Sequence, residues 1–413
     1  MTAGRMPSTI GIMTVDRAIG DLTGSLAEII ESLAPIPRLP TSEGERAAAY
    51  LVRERFEAAG CTARVEEVPA FRSYAEPIGL LTAAGVAAGV LAGRPSRLGR
   101  LAGTMLGAAA AAGIVDDITN GRLLTRKLLM RQRTTTNVIA ETGDPDAEAS
   151  LVILAHHDAA PSGVIFSQHL ERRLAARHPE VIQKLTSNPP LWWPVIAGPA
   201  LAAMGGLLGR RWLRWLGVGV SCVSTAALAD IATRRPVPGA NDNLSGVAVA
   251  LMTAHALRRE PPRGLRVIFV SCGAEEALQQ GVREFGRRYF CQFDPQRTCF
   301  LTLDTVGSGR LVMLEGEGTV LMHDYDESFK ALVASCARDR EITLLRGLRS
   351  RNSTDGCVPH GHGFPTATLV SVDDTKLVPN YHLYSDIPEN VDYRSVVDAV
   401  HLTEAVARRL ASA

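Results

Sequence analysis

The chain has 413 residues, 44 Lys and Arg against 43 Asp and Glu, and a formal net charge of +1. Balanced charge gives no electrostatic basis for a nucleic-acid partner, and the length allows one large α/β domain or two smaller ones. Seven cysteines, at 61, 222, 272, 291, 299, 336 and 357, have no C-x-x-C spacing. They read as reduced, mostly buried thiols of a reducing compartment. The first residues, MTAGRMPSTIGIMTVDRAIGDL, contain no continuous apolar run and no cleavage motif. No signal peptide is expected, and a cytoplasmic catalytic domain is the default.

In chain order, the first distinctive element is an apolar insertion spanning 76–130, with uncharged runs at 77–93 and 101–115 separated by Arg94, Arg97 and Arg100. Gly85, Gly89 and Gly93 recur every four residues, as do Gly99, Gly103 and Gly107. On helices each set lines one face and lets two backbones approach closely. The strand-like run LVIL (151–154) then leads into His156 and Asp158. Two residues apart on extended backbone, these side chains face the same way. A second apolar insertion lies within 160–235, with uncharged runs at 185–209 and 215–229 separated by Arg210, Arg211 and Arg214. It holds all four tryptophans, Trp192, Trp193, Trp212 and Trp215.

The turn PGANDNLSG carries Asp242 and opens a helix predicted over 245–259. Three more β-branched runs follow. RVIFVSC (266–272) precedes Glu275-Glu276, CFLTL (299–303) precedes Asp304, and ATLVSV (367–372) lies some ten residues before His382. A terminal helix is predicted over about 394–411. The fold class expected is α/β, a mixed and mostly parallel sheet sandwiched by helices, interrupted by two apolar helical hairpins. Such sheets place their chemistry at the carboxyl ends of the strands.

Taken singly, each motif has an ordinary explanation. His-x-Asp is commonly a surface pair, adjacent glutamates a helix start, and Asn-Asp-Asn a turn and cap. Their joint occurrence after successive strands reads instead as a hydrolytic metal site. Mixed imidazole and carboxylate donors without thiolate suit catalysis better than a structural zinc knot.

These motifs resemble those of the co-catalytic zinc aminopeptidases, metallopeptidase family twenty-eight, which includes bacterial leucyl aminopeptidases and glutamate carboxypeptidase. The resemblance also covers 25–75, where PRLPTSEGERAAAYLVRERFEAAG is similar to the family's opening helix, and resumes at TNVIAETG (136–143). It implies a zinc-exopeptidase-like catalytic domain over 17–413, with 76–130 and 160–235 inserted, and two Zn2+ per chain (Co2+ or Mn2+ as substitutes). The implied metal ligands are His156, Asp242 (bridging both ions), Glu276, Asp304 and His382. Asp158 would orient His156, and the peptide after Asp242 would be cis. The implied reaction is hydrolysis of a peptide bond by a metal-bridging hydroxide with Glu275 as general base, on a peptide or small amide substrate.

The sequence departs from that family in two places. Its Ser-Asp-His or Ser-Asp-Tyr segment reads Thr354-Asp355-Gly356 within NSTDGCVPHGHGFP, so the imidazole or phenol is missing. His360 or His362 is a replacement within reach in sequence, and Arg349 and Arg351 are potential carboxylate binders. Thr302 stands where the family commonly has Asn. Two other functions are therefore carried along: a metal-dependent amide hydrolase or acyl transferase for an apolar small molecule, and a non-catalytic receptor or scaffold. The insertions are the second departure. They read as membrane-inserted or membrane-surface helices beside a cytoplasmic catalytic domain, against the alternative of hairpins packed on each other or in a homo-oligomer interface. Three of their four runs, at 17, 15 and 15 residues, are short for a span of about 20. The Trp-containing element is also a candidate lid or apolar channel beside the metals.

Overall fold

The computed structural model describes residues 9–412. Its strands are β1 (Thr62–Ala70), β2 (Arg133–Gly143), β3 (Ala149–His156), β4 (Leu265–Cys272), β5 (Thr298–Leu303), β6 (Arg310–Met313), β7 (Gly316–Glu317), β8 (His323–Asp324), β9 (Arg349–Ser350) and β10 (Thr366–Val372). The helices in the amino-terminal half are α1 (Thr9–Leu33), α2 (Glu43–Ala58), α3 (Ala75–Leu91), α4 (Arg97–Ile118), α5 (Leu124–Leu129), α6 (His169–Arg177) and α7 (Pro179–Lys184). Those that follow are α8 (Trp192–Leu207), α9 (Arg211–Thr233), α10 (Ser245–Arg259), α11 (Gln280–Tyr289), α12 (Glu327–Asp339), α13 (Cys357–Gly361) and α14 (Tyr393–Ala411).

Seven strands form one sheet in the order β1-β2-β4-β3-β5-β10-β6, and β8-β7-β9 form a small second one. The main sheet is mixed. Its central strands β4, β3, β5 and β10 run parallel, while the outer pairings β1–β2, β2–β4 and β10–β6 are antiparallel. Strand alternation sends Leu151, Ile153 and Ala155 into the core on one face, and Val152 and Leu154 into the core on the other. Helices α1, α2, α10, α12 and α14 contribute to the first core; α11 and α13 contribute to the second. Burial on both faces explains why these strands read as continuous apolar runs. The helices predicted over 245–259 and about 394–411 are α10 and α14.

Both insertions are helical hairpins, and the two hairpins pack together as a four-helix bundle of α3, α4, α8 and α9. Glycines allow the close approach of the two helices within each hairpin. A Cβ on Gly103 would stand 2.3 Å from the Ala92 backbone nitrogen, and one on Gly217 would stand 2.3 Å from that of Ala202. The helices are longer than the uncharged runs, because they absorb flanking arginines: α4 has 22 residues and α9 has 23, enough to cross a bilayer. Only α3 and α8, at 17 and 16 residues, remain short. Gly93 abuts Arg214 and Gly206 abuts Ala92, so both hairpin tips, with Arg94, Arg97, Arg100, Arg210, Arg211 and Arg214, lie at one end of the bundle.

Several expectations need revision. Within 160–235 the chain also forms α6 and α7 before the apolar hairpin begins. Arg126, a charged residue inside the 76–130 insertion, is fully buried and paired with Asp117 at 2.5 Å. The thiols are all unpaired, yet only Cys61, Cys272 and Cys336 are buried, while Cys222 and Cys291 are exposed.

Candidate metal centre

His156 is the last residue of β3, Glu275-Glu276 follow β4, Asp304 follows β5, and His382 lies in the loop after β10. Adjacent parallel strands therefore deliver four of the five motifs to one edge. Asp242 arrives on the turn before α10, which is fixed from several sides. Asp386 accepts the backbone N–H groups of Asn241 and Asp242 at 2.8 and 3.0 Å. Asn243 donates to the Leu303 carbonyl at 2.8 Å and accepts from Gly246 and Thr305. The Asp242–Asn243 peptide is cis. Gly246 is required here, since a Cβ would stand 2.6 Å from the Leu303 oxygen.

The expected donors converge. Asp242 Oδ1 lies 3.4 Å from His156 Nε2, and Asp242 Oδ2 lies 3.2 Å from His382 Nε2. His382 Nε2 is also 3.3 Å from Glu276 Oε2, and His156 Nε2 is 4.0 Å from Asp304 Oδ2. The ligand atoms of His156, Asp242 and Glu276 all fall within 4.8 Å of one another. A tetrahedral ion with bonds near 2.0–2.1 Å has donor–donor edges of about 3.3 Å, so these separations fit one. Asp158 Oδ1 stands 3.4 Å from His156 Nδ1, and the carboxylate accepts the backbone N–H groups of Glu275 and Glu276 at 3.1 and 3.0 Å. It thereby ties two motifs together.

The electrostatics call for cations. Burial drives Asp304 up to about 8 and Asp355 to about 7, with neighbouring carboxylates adding to the effect. Burial also pushes Glu275 well above the ordinary carboxylate range, with Asp355 and Glu276 reinforcing it. For His382 burial works the other way, but Glu276 and Asp242 outweigh it and hold the imidazole near 10. Asp242 Oδ2, Glu276 Oε1, His382 Nδ1 and both Asp355 oxygens are buried without hydrogen-bond partners. Buried polar atoms seldom lack partners. So many acids on so little solvent are tolerated when divalent ions neutralise them.

Other expected participants lie elsewhere. His362 Nδ1 donates to the Val358 carbonyl, 2.9 Å away, and the ring packs on Phe290, while His360 rests on the Tyr325 ring. Neither stands in for the side chain missing at Gly356. The space where that side chain would begin is taken by hydroxyls: a Cβ there would meet Thr368 Oγ1 at 2.6 Å, Thr302 Oγ1 at 2.8 Å and Tyr325 Oη at 2.9 Å. Tyr325 already donates to Glu317 at 2.7 Å. Arg349 is held by Asp324 at 2.7 and 2.9 Å, and Arg351 lies over the Trp193 ring. Trp192 packs edge-on to buried Tyr74, and Trp193, though half exposed, also meets the catalytic domain through Arg351; Trp212 and Trp215 are exposed. Phe166 from the second insertion packs against the His382 ring at 4.5 Å, so apolar surface does border the site.

Sequence reasoning missed three residues that hold the site. Asp386 stood in the His382 motif, four residues on, but its partners are backbone amides 145 positions earlier. Arg38, fully buried, donates to the carbonyls of Leu33, Ile36, His157 and Pro238. Glu45 reaches from α2 to accept from Ala274 N at 2.7 Å and Thr135 Oγ1 at 2.6 Å. Nothing local distinguishes such residues from surface charges.

The mixed α/β fold and its cluster of buried imidazoles and carboxylates suit a metal-dependent hydrolase. The family model described as Peptidase family M28 matches residues 224–407, which include Asp242, Glu275, Glu276, Asp304 and His382. Over that stretch, just under half of the chain, the sequence is similar to this metallopeptidase family. No curated protein matches it in sequence. The aminopeptidase from Aneurinibacillus sp. strain AM-1 shares the fold at TM-score 0.56 and 16% identity, over 93% of this chain and 92% of that one. The Bacillus subtilis zinc aminopeptidase BSAP aligns at TM-score 0.53 and 13% identity, over 95% and 94%. The Bacteroides thetaiotaomicron glutaminyl cyclase aligns at TM-score 0.57 and 14% identity, over 94% and 97%.

Proposed function

We propose that the protein is a di-zinc aminopeptidase, and the observation that carries this reading is the division of the Asp242 carboxylate between two imidazoles. Its two oxygens face His156 and His382 separately. Asp242, Glu276 and His382 would hold one ion, and Asp242, His156 and Asp304 the other. Cobalt or manganese fits the same donors. When bound, the ions activate water and polarise the scissile carbonyl. Glu275 takes the proton from the attacking water and returns it to the leaving amine. Its Oε1 is held by Gln279 at 2.8 Å, which leaves Oε2 turned toward the donors, 3.8 Å from His156 Nε2. Asp158 keeps the His156 ring oriented through Nδ1.

A second reading, amide hydrolysis or acyl transfer on an apolar small molecule, is favoured by Phe166 against His382 and Trp192 against Tyr74. Metal-loaded protein, offered free-amine dipeptides beside N-acyl amino acids with Glu275→Gln as control, separates the two. Cleavage of the dipeptides that is lost in the control supports the aminopeptidase. Cleavage of the acylated set alone transfers the assignment to the second reading. Failure of the chain to take up zinc, cobalt or manganese would overturn both in favour of a scaffold.

The four-helix bundle is read as the membrane-associating part, with the catalytic domain on the cytoplasmic side. Leu101, Met105, Leu207 and Val223 are exposed along it, and apolar side chains left open on one element suit a membrane contact. Trp193 lies near one end and Trp212 and Trp215 near the other, where amphipathic rings sit in a bilayer. The arginines at the tips would meet phosphate headgroups. Contact between copies through the same helices is the alternative.

A further inference from the structure

We propose that Gln279 is the positioning residue for Glu275, and that the first insertion sets its orientation through Asn120. The proposal rests on the reading of Glu275 as the base. The segment bearing Glu275 is an unusual piece of backbone. Ala274, Leu278 and Gln279 all have positive φ, at 52°, 69° and 50°, although none is glycine. Such a stretch persists only where its surroundings over-determine it. Much of what surrounds it comes from the first insertion. Arg126, locked to Asp117, donates to the Ala277 carbonyl at 2.6 Å, and Thr319 Oγ1 ties the neighbouring loop to the Ile118 carbonyl at 2.9 Å.

Gln279 is buried and uses its whole amide. Nε2 donates to Glu275 Oε1 at 2.8 Å and to the Ser353 carbonyl at 2.9 Å. Oε1 accepts from Asn120 Nδ2 at 2.8 Å and Ser353 Oγ at 3.2 Å. The direction of this chain is set from two sides: the Ser353 carbonyl can only accept, so it takes Gln279 Nε2, and the far end fixes Asn120. Arg283 lies 3.3 Å from Asn120 Oδ1 and also holds the Gly121 carbonyl at 2.9 Å. A guanidinium can only donate. Asn120 must therefore turn its oxygen to Arg283 and its nitrogen to Gln279. Gln279 in turn presents oxygen to Asn120 and nitrogen to Glu275. Reversing any link would set an amide oxygen against the Glu275 carboxylate. Asn120, two residues past α4, thus acts with the Ser353 carbonyl to decide which atom meets the base.

The test compares Asn120→Asp with Asn120→Ala, with Ser96→Ala at the distal tip of the same hairpin as control. Aspartate is nearly isosteric and gains a charge partner in Arg283, so a merely structural role makes it the milder change. The directional chain makes it the harsher one, because it offers Gln279 no donor, whereas water replaces the donor in the alanine variant. The expected result is a kcat about 10-fold down in Asn120→Asp with KM and metal content unchanged, a smaller loss in Asn120→Ala, and none in Ser96→Ala. Gln279→Leu should lose at least as much as Asn120→Asp, and the double variant no more than Gln279→Leu alone. Amide hydrogen exchange of segment 273–283 in metal-free protein should rise in Asn120→Asp. Unchanged exchange, or an aspartate variant as active as wild type, overturns the proposal. Absence of turnover by wild type would sink the peptidase reading alone, since exchange still decides this one.

Discussion

The two oxygens of the Asp242 carboxylate face different imidazoles, Oδ2 at 3.2 Å from His382 Nε2 and Oδ1 at 3.4 Å from His156 Nε2. A carboxylate placed between two imidazoles, with Glu276 and Asp304 on either side, is arranged to be shared. Asp242→Asn keeps the shape and removes the charge. On the proposed di-zinc reading, elemental analysis of the purified variant falls from two metals per chain to one or none, with turnover down at least about 100-fold. Two metals retained in the variant would contradict a bridging role.

Asp158 holds the Glu275 and Glu276 amides as well as facing His156 Nδ1. Asp158→Asn places an NH2 group against one of those N–H donors. Zinc titration should show affinity weakened about 10- to 100-fold, while circular dichroism stays that of the folded protein. An unchanged titration would mean that the contact is incidental.

Gly103 and Gly219 give opposite expectations on the same bundle. A Cβ at Gly103 would sit 2.3 Å from the Ala92 nitrogen, whereas nothing lies within 4 Å of one at Gly219. Gly103→Ala should cost about 1–3 kcal/mol by overpacking. Gly219→Ala should gain up to about 1 kcal/mol, the helix-propensity difference. Thermal unfolding in one detergent checks both, and equal effects would argue against the close α3–α4 approach.

Away from the metal centre, Glu315 predicts an acid-sensitive contribution to stability. Burial alone would raise it, but hydrogen bonds from Arg346 and Lys330 outweigh burial and hold it at about 2. A carboxylate depressed in the folded state stabilises above its unfolded pKa of about 4.3. That contribution is complete above about pH 5 and fades as pH falls toward 2. Wild type should therefore exceed Glu315→Gln in Tm at pH 7, and the gap should fall to roughly half by pH 3 and close only below about pH 2. A gap independent of pH would assign the effect to packing.

The exposed face of the bundle gives the membrane test. Serine at Leu101, Met105, Leu207 and Val223 together removes exposed apolar surface without touching the interhelical glycines. Wild type should float with liposomes and need detergent for extraction. The quadruple variant should remain in the aqueous fraction and keep its metal content. Equal flotation of both proteins would move the contact elsewhere.

The sequence by itself determined the strands at 151–154, 266–272, 299–303 and 367–372, because burial on both faces demands unbroken apolar runs. It also determined which side chains would meet, since strand ends on one edge of a parallel sheet leave His156, Glu276 and Asp304 little choice of neighbour. Only the tertiary structure decided how those residues are held. Arg38, Glu45, Asp386 and Gln279 act across 100 or more positions or through backbone atoms, and neither relation leaves a local pattern. It also decided that the insertions are one object. Each glycine stripe states that some backbone comes close, but which one depends on shape complementarity between hairpins about 100 residues apart, and that is fixed only when both pack above the same sheet.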